Sequence, residues 1–218
     1  MTIQELVRDY FNREARRFDA IYVSEKPIIQ RAVDSLRKVV VERFRLVCSL
    51  APLPGAWTAL DVGCGSGRYS IAFARAGAAN VVGVDVAASM TEFALEEAKR
   101  AGVTDRCSFV TAPFLDFHSD QKFDVVVAMG YFDYLSDPAA HLRRMLDLCR
   151  GRVFMSVPKR WEIRVPIRKL RFAFEKGFVR FYSRGELDQL MADTGVSSDR
   201  WSVIDLGRDW VAVIRAKA

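Results

Sequence analysis

Short apolar runs alternate with stretches of helical periodicity from about residue 57 to the end of the chain. Short apolar runs bounded by turn residues are typical of strands buried on both faces of a sheet, and apolar positions three or four apart indicate amphipathic helices. The pattern predicts strands near residues 57–62, 80–85, 106–111, 123–129, 151–157, 199–206 and 209–216, and helices near 67–77, 89–102, 136–149 and 183–194. Because strands and helices alternate, we predict βαβ units and an α/β fold with a mostly parallel sheet and helices on both faces.

Two more helices are predicted before the first strand. An amphipathic stripe in residues 2–20 contains Ile3, Leu6, Val7, Tyr10 and Phe11. A second helical pattern covers residues 27–50, where the positions at helical spacing are Ile28, Ala32, Leu36, Val39 and Arg43. The turn-forming residues of 51–55 end this portion. We therefore expect an N-terminal helical lid, residues 1–54, over a domain formed by residues 55–218.

The most informative stretch joins the first predicted strand to the helix that follows it. Three glycines at alternate positions form a turn here, namely Gly63, Gly65 and Gly67. Asp61 ends the strand before them, and Asp85 ends the next strand, 22 residues after Gly63. This spacing departs from the G-x-G-x-x-G dinucleotide fingerprint, and a carboxylate beside the turn suits a ligand that carries a cation. Together the turn and the two acids predict a nucleoside-binding crevice at the carboxyl ends of parallel strands.

With these residues in place, the chain resembles the class I S-adenosylmethionine-dependent methyltransferases. The resemblance rests on residues 60–67, 82–86 with Ser89 and Met90, and 123–129, and it covers roughly residues 55–160. It implies a Rossmann-like, seven-stranded sheet with S-adenosylmethionine as the cofactor. It also implies that the first acid and the glycines hold the methionine part, that the second acid holds the ribose, and that the residues after it flank adenine. The cofactor-binding residues expected on this basis are Asp61, Gly63, Cys64, Gly65, Gly67, Asp85, Val86, Met90, Phe114 and Met129.

One position departs from the pattern of the resembled family. Members of that family usually place Gly-Asp where this chain has Ala112-Pro113, and the acid meets the adenine amine. Pro113 offers neither a carboxylate nor an N–H group. Three alternatives stay open for adenine: Asp116 reaches back, a backbone carbonyl substitutes, or apolar contacts from residues such as Phe114 suffice.

The loop that follows the fourth predicted strand, residues 129–134, faces the position of the reactive methyl group, and we call it the acceptor loop. We expect Asp133 to bind the acceptor or act as a base, and Tyr131 and Tyr134 to orient the acceptor through their hydroxyls. The alternatives are a turn or helix-capping role for Asp133 and wall packing for the two tyrosines. The lid segment also resembles the entry segment of magnesium-protoporphyrin and quinone-type methyltransferases, which makes Tyr10 and Tyr22 expected lid contacts.

Charge is concentrated in one part of the chain. The net charge is +6, yet residues 158–184, the basic segment, contain nine basic and two acidic side chains interleaved with apolar ones. It could line a pocket for an acidic acceptor, lie on a membrane face that presents a lipid-linked acceptor, bind nucleic acid, or form an ordinary solvated helix. We favour the acidic small-molecule acceptor over nucleic acid, because no recognisable RNA-binding module accompanies the segment.

The remaining composition narrows the classes of function. The four cysteines are widely spaced and the two histidines are distant, so neither a disulfide framework nor a metal site is expected. No apolar run is long enough to span a bilayer and no signal peptide is evident, so we expect a cytoplasmic protein. We predict an S-adenosylmethionine-dependent methyltransferase that acts on a small acceptor, with O-methylation favoured. The alternatives are an RNA methyltransferase, a nicotinamide oxidoreductase and a non-catalytic nucleoside-binding partner; the oligomeric state is left open.

Overall fold

The computed structural model describes residues 30–160 and 179–217, together with Glu5, residues 8–10 and Asn12 of the N-terminal segment. The helices are α1 (Gln30–Leu50), α2 (Arg68–Arg75), α3 (Ala88–Ala101), α4 (Pro138–Asp147) and α5 (Arg184–Asp193). The strands are β1 (Trp57–Val62), β2 (Ala78–Asp85), β3 (Cys107–Thr111), β4 (Phe123–Ala128), β5 (Cys149–Pro158), β6 (Trp201–Asp205) and β7 (Asp209–Arg215). Single 3₁₀ turns lie at Phe114–Asp116, Phe132–Tyr134 and Ser198–Arg200.

The seven strands form one sheet in the order β3-β2-β1-β4-β5-β7-β6. The first five strands pair in parallel, while β7 pairs with β5 and β6 in the antiparallel sense. The chain crosses from one half of the sheet to the other between β1 and β4, which lie side by side. In open sheets of this kind, ligands bind outside the carboxyl ends of the strands at such a switch point. The predicted fold class and strand number are confirmed.

Buried strand residues alternate between two helical layers. One face carries Ala59, Val125 and Phe154 and packs against α1, α2 and the end of α3. The other face carries Leu60, Val126 and Met155 and packs against α4 and α5. Because neighbouring residues of a strand point to opposite faces, both layers come from the same apolar runs.

The second half of α1 belongs to the core of the domain. Val47 and Ala51 are fully buried beside Trp57 and Phe73, and the ring of Phe44 lies 5.1 Å from that of Tyr69. The predicted division at residue 54 places these residues in the lid, whereas Val47 and Ala51 belong to the same buried cluster as the strand residues Ala59 and Val81.

Candidate active site at the carboxyl ends of β1, β2 and β4

The turn between β1 and α2, residues 63–67, is held against the end of β2, and we call it the glycine loop. The N–H groups of Gly63 and Cys64 both donate to the carbonyl oxygen of Val84, at 2.8 and 3.1 Å. All three glycines have left-handed backbone conformations, with φ of 67°, 50° and 73°. A side chain at Gly65 would meet nothing within 4 Å, so the space above the middle of the loop is open.

Gly63 is required for a second reason, because an aromatic ring lies against it. A Cβ atom at this position would come within 2.5 Å of Cδ2 of Tyr131, which belongs to the acceptor loop. Real Cβ atoms do not tolerate such a distance, so the ring and the glycine loop touch only because residue 63 lacks a side chain. The two loops predicted to form the crevice are therefore in direct contact.

Asp61 is the most strongly perturbed acid of the site. It is 2% exposed, and its Oδ2 accepts hydrogen bonds from the backbone N–H of Ser70 at 3.1 Å and from the Ser70 hydroxyl at 2.7 Å. Burial raises the pKa of Asp61 to about 7, an effect that the two hydrogen bonds oppose and the nearby Asp85 reinforces. The carboxyl group thus joins β1 to the first turn of α2 and can gain or lose a proton near neutral pH.

Asp85 connects β2 to the glycine loop. Its Oδ2 accepts from the N–H of Gly65 and its Oδ1 from the N–H of Ala87, each at 2.9 Å. Burial raises the pKa of this carboxyl above its ordinary value, and the backbone hydrogen bonds partly offset that effect. Each oxygen accepts one of these bonds and keeps capacity for another, since a carboxylate offers about four acceptor positions.

The remaining predicted cofactor contacts divide by burial. Met90 and Phe114 are buried, while Val86 and Met129 are half-buried beside the crevice. Cys64 points toward β2, because a Cβ atom on Gly83 would lie 3.0 Å from its sulfur. Burial raises the pKa of the Cys64 thiol well above its ordinary value, so the group stays protonated and non-nucleophilic.

Tyr131 has a partner that the sequence did not suggest. Its hydroxyl lies 2.8 Å from Nδ1 of His141, a buried residue of α4. The ring of Phe114 completes the cluster. Its centroid lies 6.3 Å from the ring centroid of Tyr131 and 6.1 Å from that of His141. Burial lowers the pKa of His141 to about 4, so the imidazole is neutral at ordinary pH. In this conformation the Tyr131 hydroxyl is directed at α4, which favours the wall-packing alternative for this residue.

The two other predicted acceptor-loop residues differ in exposure. Asp133 is 7% exposed and Tyr134 is half-buried. The carbonyl oxygen of Asp133 accepts the N–H of Arg180 at 2.7 Å. The helix-capping alternative for Asp133 is wrong, because the side chain of Asp137 caps α4 by accepting the N–H of Ala140.

The N-terminal segment contacts the crevice rim through Asn12. Its Oδ1 accepts the hydroxyl of Ser89 at 2.9 Å and the N–H of Ser89 at 3.3 Å. Helix α3 begins after Ala87 with no side-chain cap of its own, so Asn12 takes over that function from a distant part of the chain. Tyr10 is helical and half-buried, whereas Tyr22 lies outside the described residues.

Most basic side chains at the described ends of the basic segment form ion pairs. Lys159 pairs with Asp205, Arg160 with Glu186 at 2.7 Å and Arg184 with Asp188 at 2.9 Å. Arg180 lies over the ring of Tyr182, 5.2 Å from its centroid. The other five basic residues of the segment lie outside the described residues. Three of the four basic residues that the structure describes in this segment are therefore paired with acids.

The part of the chain that the structure describes contains neither a metal-binding cluster nor a membrane-spanning helix. Among those residues, no group of three or more histidine, cysteine or acidic side chains is placed to hold a metal ion. None of the described helices has the length and apolar character needed to cross a bilayer.

Part of the chain is similar in sequence to known methyltransferases. Residues 59–151 match a family model described as a methyltransferase domain. A ubiquinone biosynthesis O-methyltransferase of Ralstonia nicotianae is 36% identical over 116 residues, which is 52% of this chain and 48% of that protein. The chain thus spans about half the length of the curated relatives it matches.

Solved structures extend the similarity beyond the matched region. Magnesium protoporphyrin IX methyltransferase from Synechocystis, solved with bound S-adenosylhomocysteine, has a TM-score of 0.79 at 20% identity and covers 99% of this chain and 100% of its own. A [4+2]-cyclase covers 94% of this chain and 75% of its own, with a TM-score of 0.63 at 22% identity. At these identities the likeness shows a shared fold, and the cyclase indicates that the fold alone does not specify the reaction.

Proposed function

We propose that the chain is a class I, S-adenosylmethionine-dependent methyltransferase and that it methylates a hydroxyl oxygen of a small-molecule acceptor. The observation that carries the proposal is that the glycine loop, Asp85 and Asp61 lie together in one crevice. The glycine loop is hydrogen-bonded to Val84 and Asp85 at the end of β2, and Asp61 lies in β1, two residues before the loop. O-methylation is supported by the relatives, which are ubiquinone biosynthesis O-methyltransferases.

The residues present fit S-adenosylmethionine. Open space above Gly65 allows a ligand to approach the loop backbone, and the buried Asp61 and half-buried Asp85 suit a nucleoside with a positively charged tail. Asp85 would accept the ribose hydroxyls through the unused capacity of its two oxygens. Asp61 would compensate the cationic methionine part.

The adenine end of the crevice is apolar. Val86, Met90 and Phe114 offer flat or flexible apolar surface beside it, and Pro113 contributes no N–H group. We therefore favour apolar contacts as the main source of adenine binding, with Asp116 as an exposed acid one turn further along. Because such contacts are not directional, orientation of the nucleoside would depend on Asp85.

When bound, the cofactor supplies a sulfonium-activated methyl group for an in-line displacement. The chain contributes alignment, because the ring of Tyr131 forms a wall beside Gly63 and would limit where an acceptor can enter. An acceptor hydroxyl must lose its proton as the new bond forms. We assign that proton to Asp133, with the Tyr134 hydroxyl orienting the acceptor; the Tyr131 hydroxyl is engaged with His141.

The proposal is tested by product identification. The protein is incubated with S-adenosylmethionine carrying a ¹³C-labelled methyl group and a panel of hydroxylated carboxylic acids and phenols. We expect S-adenosylhomocysteine to form together with a product whose labelled carbon has the chemical shift of an O-methyl group. Labelled N-, S- or C-methyl products would refute oxygen as the attacked atom, and cofactor binding without turnover on any acceptor would favour a non-catalytic nucleoside-binding protein.

A further inference from the structure

A buried arginine of α1 lies beneath the acceptor loop. Arg43 is 7% exposed, and its Nη1 donates to the hydroxyl oxygen of Ser156 at 3.0 Å and to Oδ2 of Asp209 at 3.2 Å. The same Ser156 oxygen accepts the N–H of Gly130, the second residue of the acceptor loop, at 2.8 Å. An unbroken series of hydrogen bonds therefore runs from α1 through β5 to the backbone of this loop.

Four elements meet at this point of the sheet edge. Arg43 comes from α1, Ser156 from β5, Asp209 from the start of β7, and Gly130 directly follows Met129 at the end of β4. Ser156 is fully buried. A Cβ atom on Gly130, whose φ is 73°, would lie 3.3 Å from Nη2 of Arg43, so the loop backbone rests against the guanidinium group.

The ion pair between Arg43 and Asp209 supplies geometry as well as stability. A buried ion pair is often no more stabilising than apolar residues of the same size, because both charges lose their hydration. What such a pair does supply is geometry, since the planar guanidinium group offers donors in fixed directions. Here the fixed directions lead to Ser156 and hence to the N–H of Gly130.

We propose that Arg43 is a positioning residue for methyl transfer, which holds the acceptor loop in register with the glycine loop through Ser156 and Asp209. The proposal rests on the proposed function of the crevice. It assigns Arg43 no contact with cofactor or acceptor. Because the acids that would hold the cofactor lie outside this series of hydrogen bonds, the effect of breaking it should fall on turnover more than on cofactor binding.

Three variants test the assignment against a matched control. Arg43→Met removes the donors and keeps the stem, Arg43→Lys keeps the charge, and Ser156→Ala removes the link to Gly130. Arg150→Met is the control, because Arg150 also binds an aspartate, Asp124, but at the opposite end of β4. The measurements are kcat and acceptor KM, the Kd for S-adenosylhomocysteine, and hydrogen exchange of the Gly130 amide.

We expect Arg43→Met and Ser156→Ala to lower kcat by ~10- to 100-fold, as displacements of about 1 Å near a reacting centre do, with Kd changed less than about threefold. Arg43→Lys should recover part of kcat, and Arg150→Met should leave kcat unchanged. The Gly130 amide should exchange at least ~10-fold faster in Ser156→Ala, because that amide loses its acceptor.

Three outcomes overturn the assignment. The first is a folded Arg43→Met or Ser156→Ala variant with kcat close to that of the unaltered protein. The second is a fall in kcat accompanied by an equal loss of S-adenosylhomocysteine affinity, and the third is unchanged Gly130 exchange in Ser156→Ala. If Arg43→Met does not fold, the Ser156→Ala results decide. Failure of the proposed function itself would look different, because the unaltered protein would then show no methyl transfer to a hydroxyl acceptor while Gly130 exchange still reported on the series of hydrogen bonds.

Discussion

Protonation of Asp61 provides a quantitative test of where the positive end of the cofactor binds. In the free protein, burial raises the pKa of this carboxyl to about 7, so about half of the molecules carry its proton at neutral pH. A cation placed beside the group favours the carboxylate and lowers its pKa. We therefore predict that binding of S-adenosylhomocysteine, whose amino acid part carries an ammonium group, releases a proton from Asp61.

The size of the effect follows from the two pKa values. An opposite charge within about 4–6 Å lowers the pKa of a carboxyl by ~1–3 units, which would bring Asp61 to about 5 in the complex. Linkage then predicts release of ~0.5 proton at pH 7 and an affinity that rises about tenfold between pH 6 and pH 8. The stability of the free protein depends on pH in the opposite direction to the affinity. Because the pKa of Asp61 is raised on folding, this group stabilises the free protein at low pH, and the contribution is lost as pH rises through about 7.

Calorimetry in two buffers of different ionisation enthalpy measures the released proton directly. Asp61→Asn should abolish the buffer dependence, while the amide still accepts from Ser70. Asp124→Asn is the control, because its pairing with Arg150 holds the Asp124 pKa at about 2 and leaves it ionised throughout. Identical binding enthalpies in both buffers for the unaltered protein, or a proton release that persists in Asp61→Asn, would refute the reasoning.

Three further substitutions test individual contacts. Gly63→Ala should destabilise the fold by ~2–4 kcal/mol in urea denaturation, because it forces a left-handed backbone and a clash with Tyr131. A stability within experimental error of the unaltered protein would contradict that contact. Tyr131→Phe should cost ~1–3 kcal/mol by leaving buried His141 without its partner, yet change the Kd for S-adenosylhomocysteine by less than about threefold, since the ring stays in place; a large loss of affinity would instead assign the hydroxyl to the ligand. Asn12→Ala should speed hydrogen exchange of the Ser89 amide by ~2- to 30-fold, the equivalent of a lost helix cap, and unchanged exchange would show that the N-terminal segment does not cap α3.

The order of elements was predictable because the parallel strands are short apolar runs separated by clear turn residues. Boundaries shifted where pairing extends a strand past its apolar run. Strand β5 begins at Cys149, two residues before the predicted start at residue 151, because Cys149 pairs with Phe123 at the start of β4. The N-cap of α4 was also predictable from the sequence, since Asp137 directly precedes Pro138 at the first helical position.

The residues that support the site could not be found by pattern alone. Ser70 and His141 act through hydrogen bonds to Asp61 and Tyr131, and these depend on how α2 and α4 lie over the sheet. Neither residue type nor spacing reports such a relationship. Arg43 did leave a signal, a charged residue on the apolar stripe of its helix, but its partners lie more than 100 positions away along the chain.

The central claim is that the crevice formed by the glycine loop and Asp85 binds the methyl donor. The most direct measurement is calorimetric titration of the unaltered protein and of Asp85→Ala with S-adenosylhomocysteine. We expect saturable binding to the unaltered protein and a loss of at least ~10-fold in affinity on Asp85→Ala, because two charge-assisted hydrogen bonds to the ribose are removed. A folded protein that shows no binding, or an Asp85→Ala variant that binds as tightly as the unaltered protein, would contradict the claim.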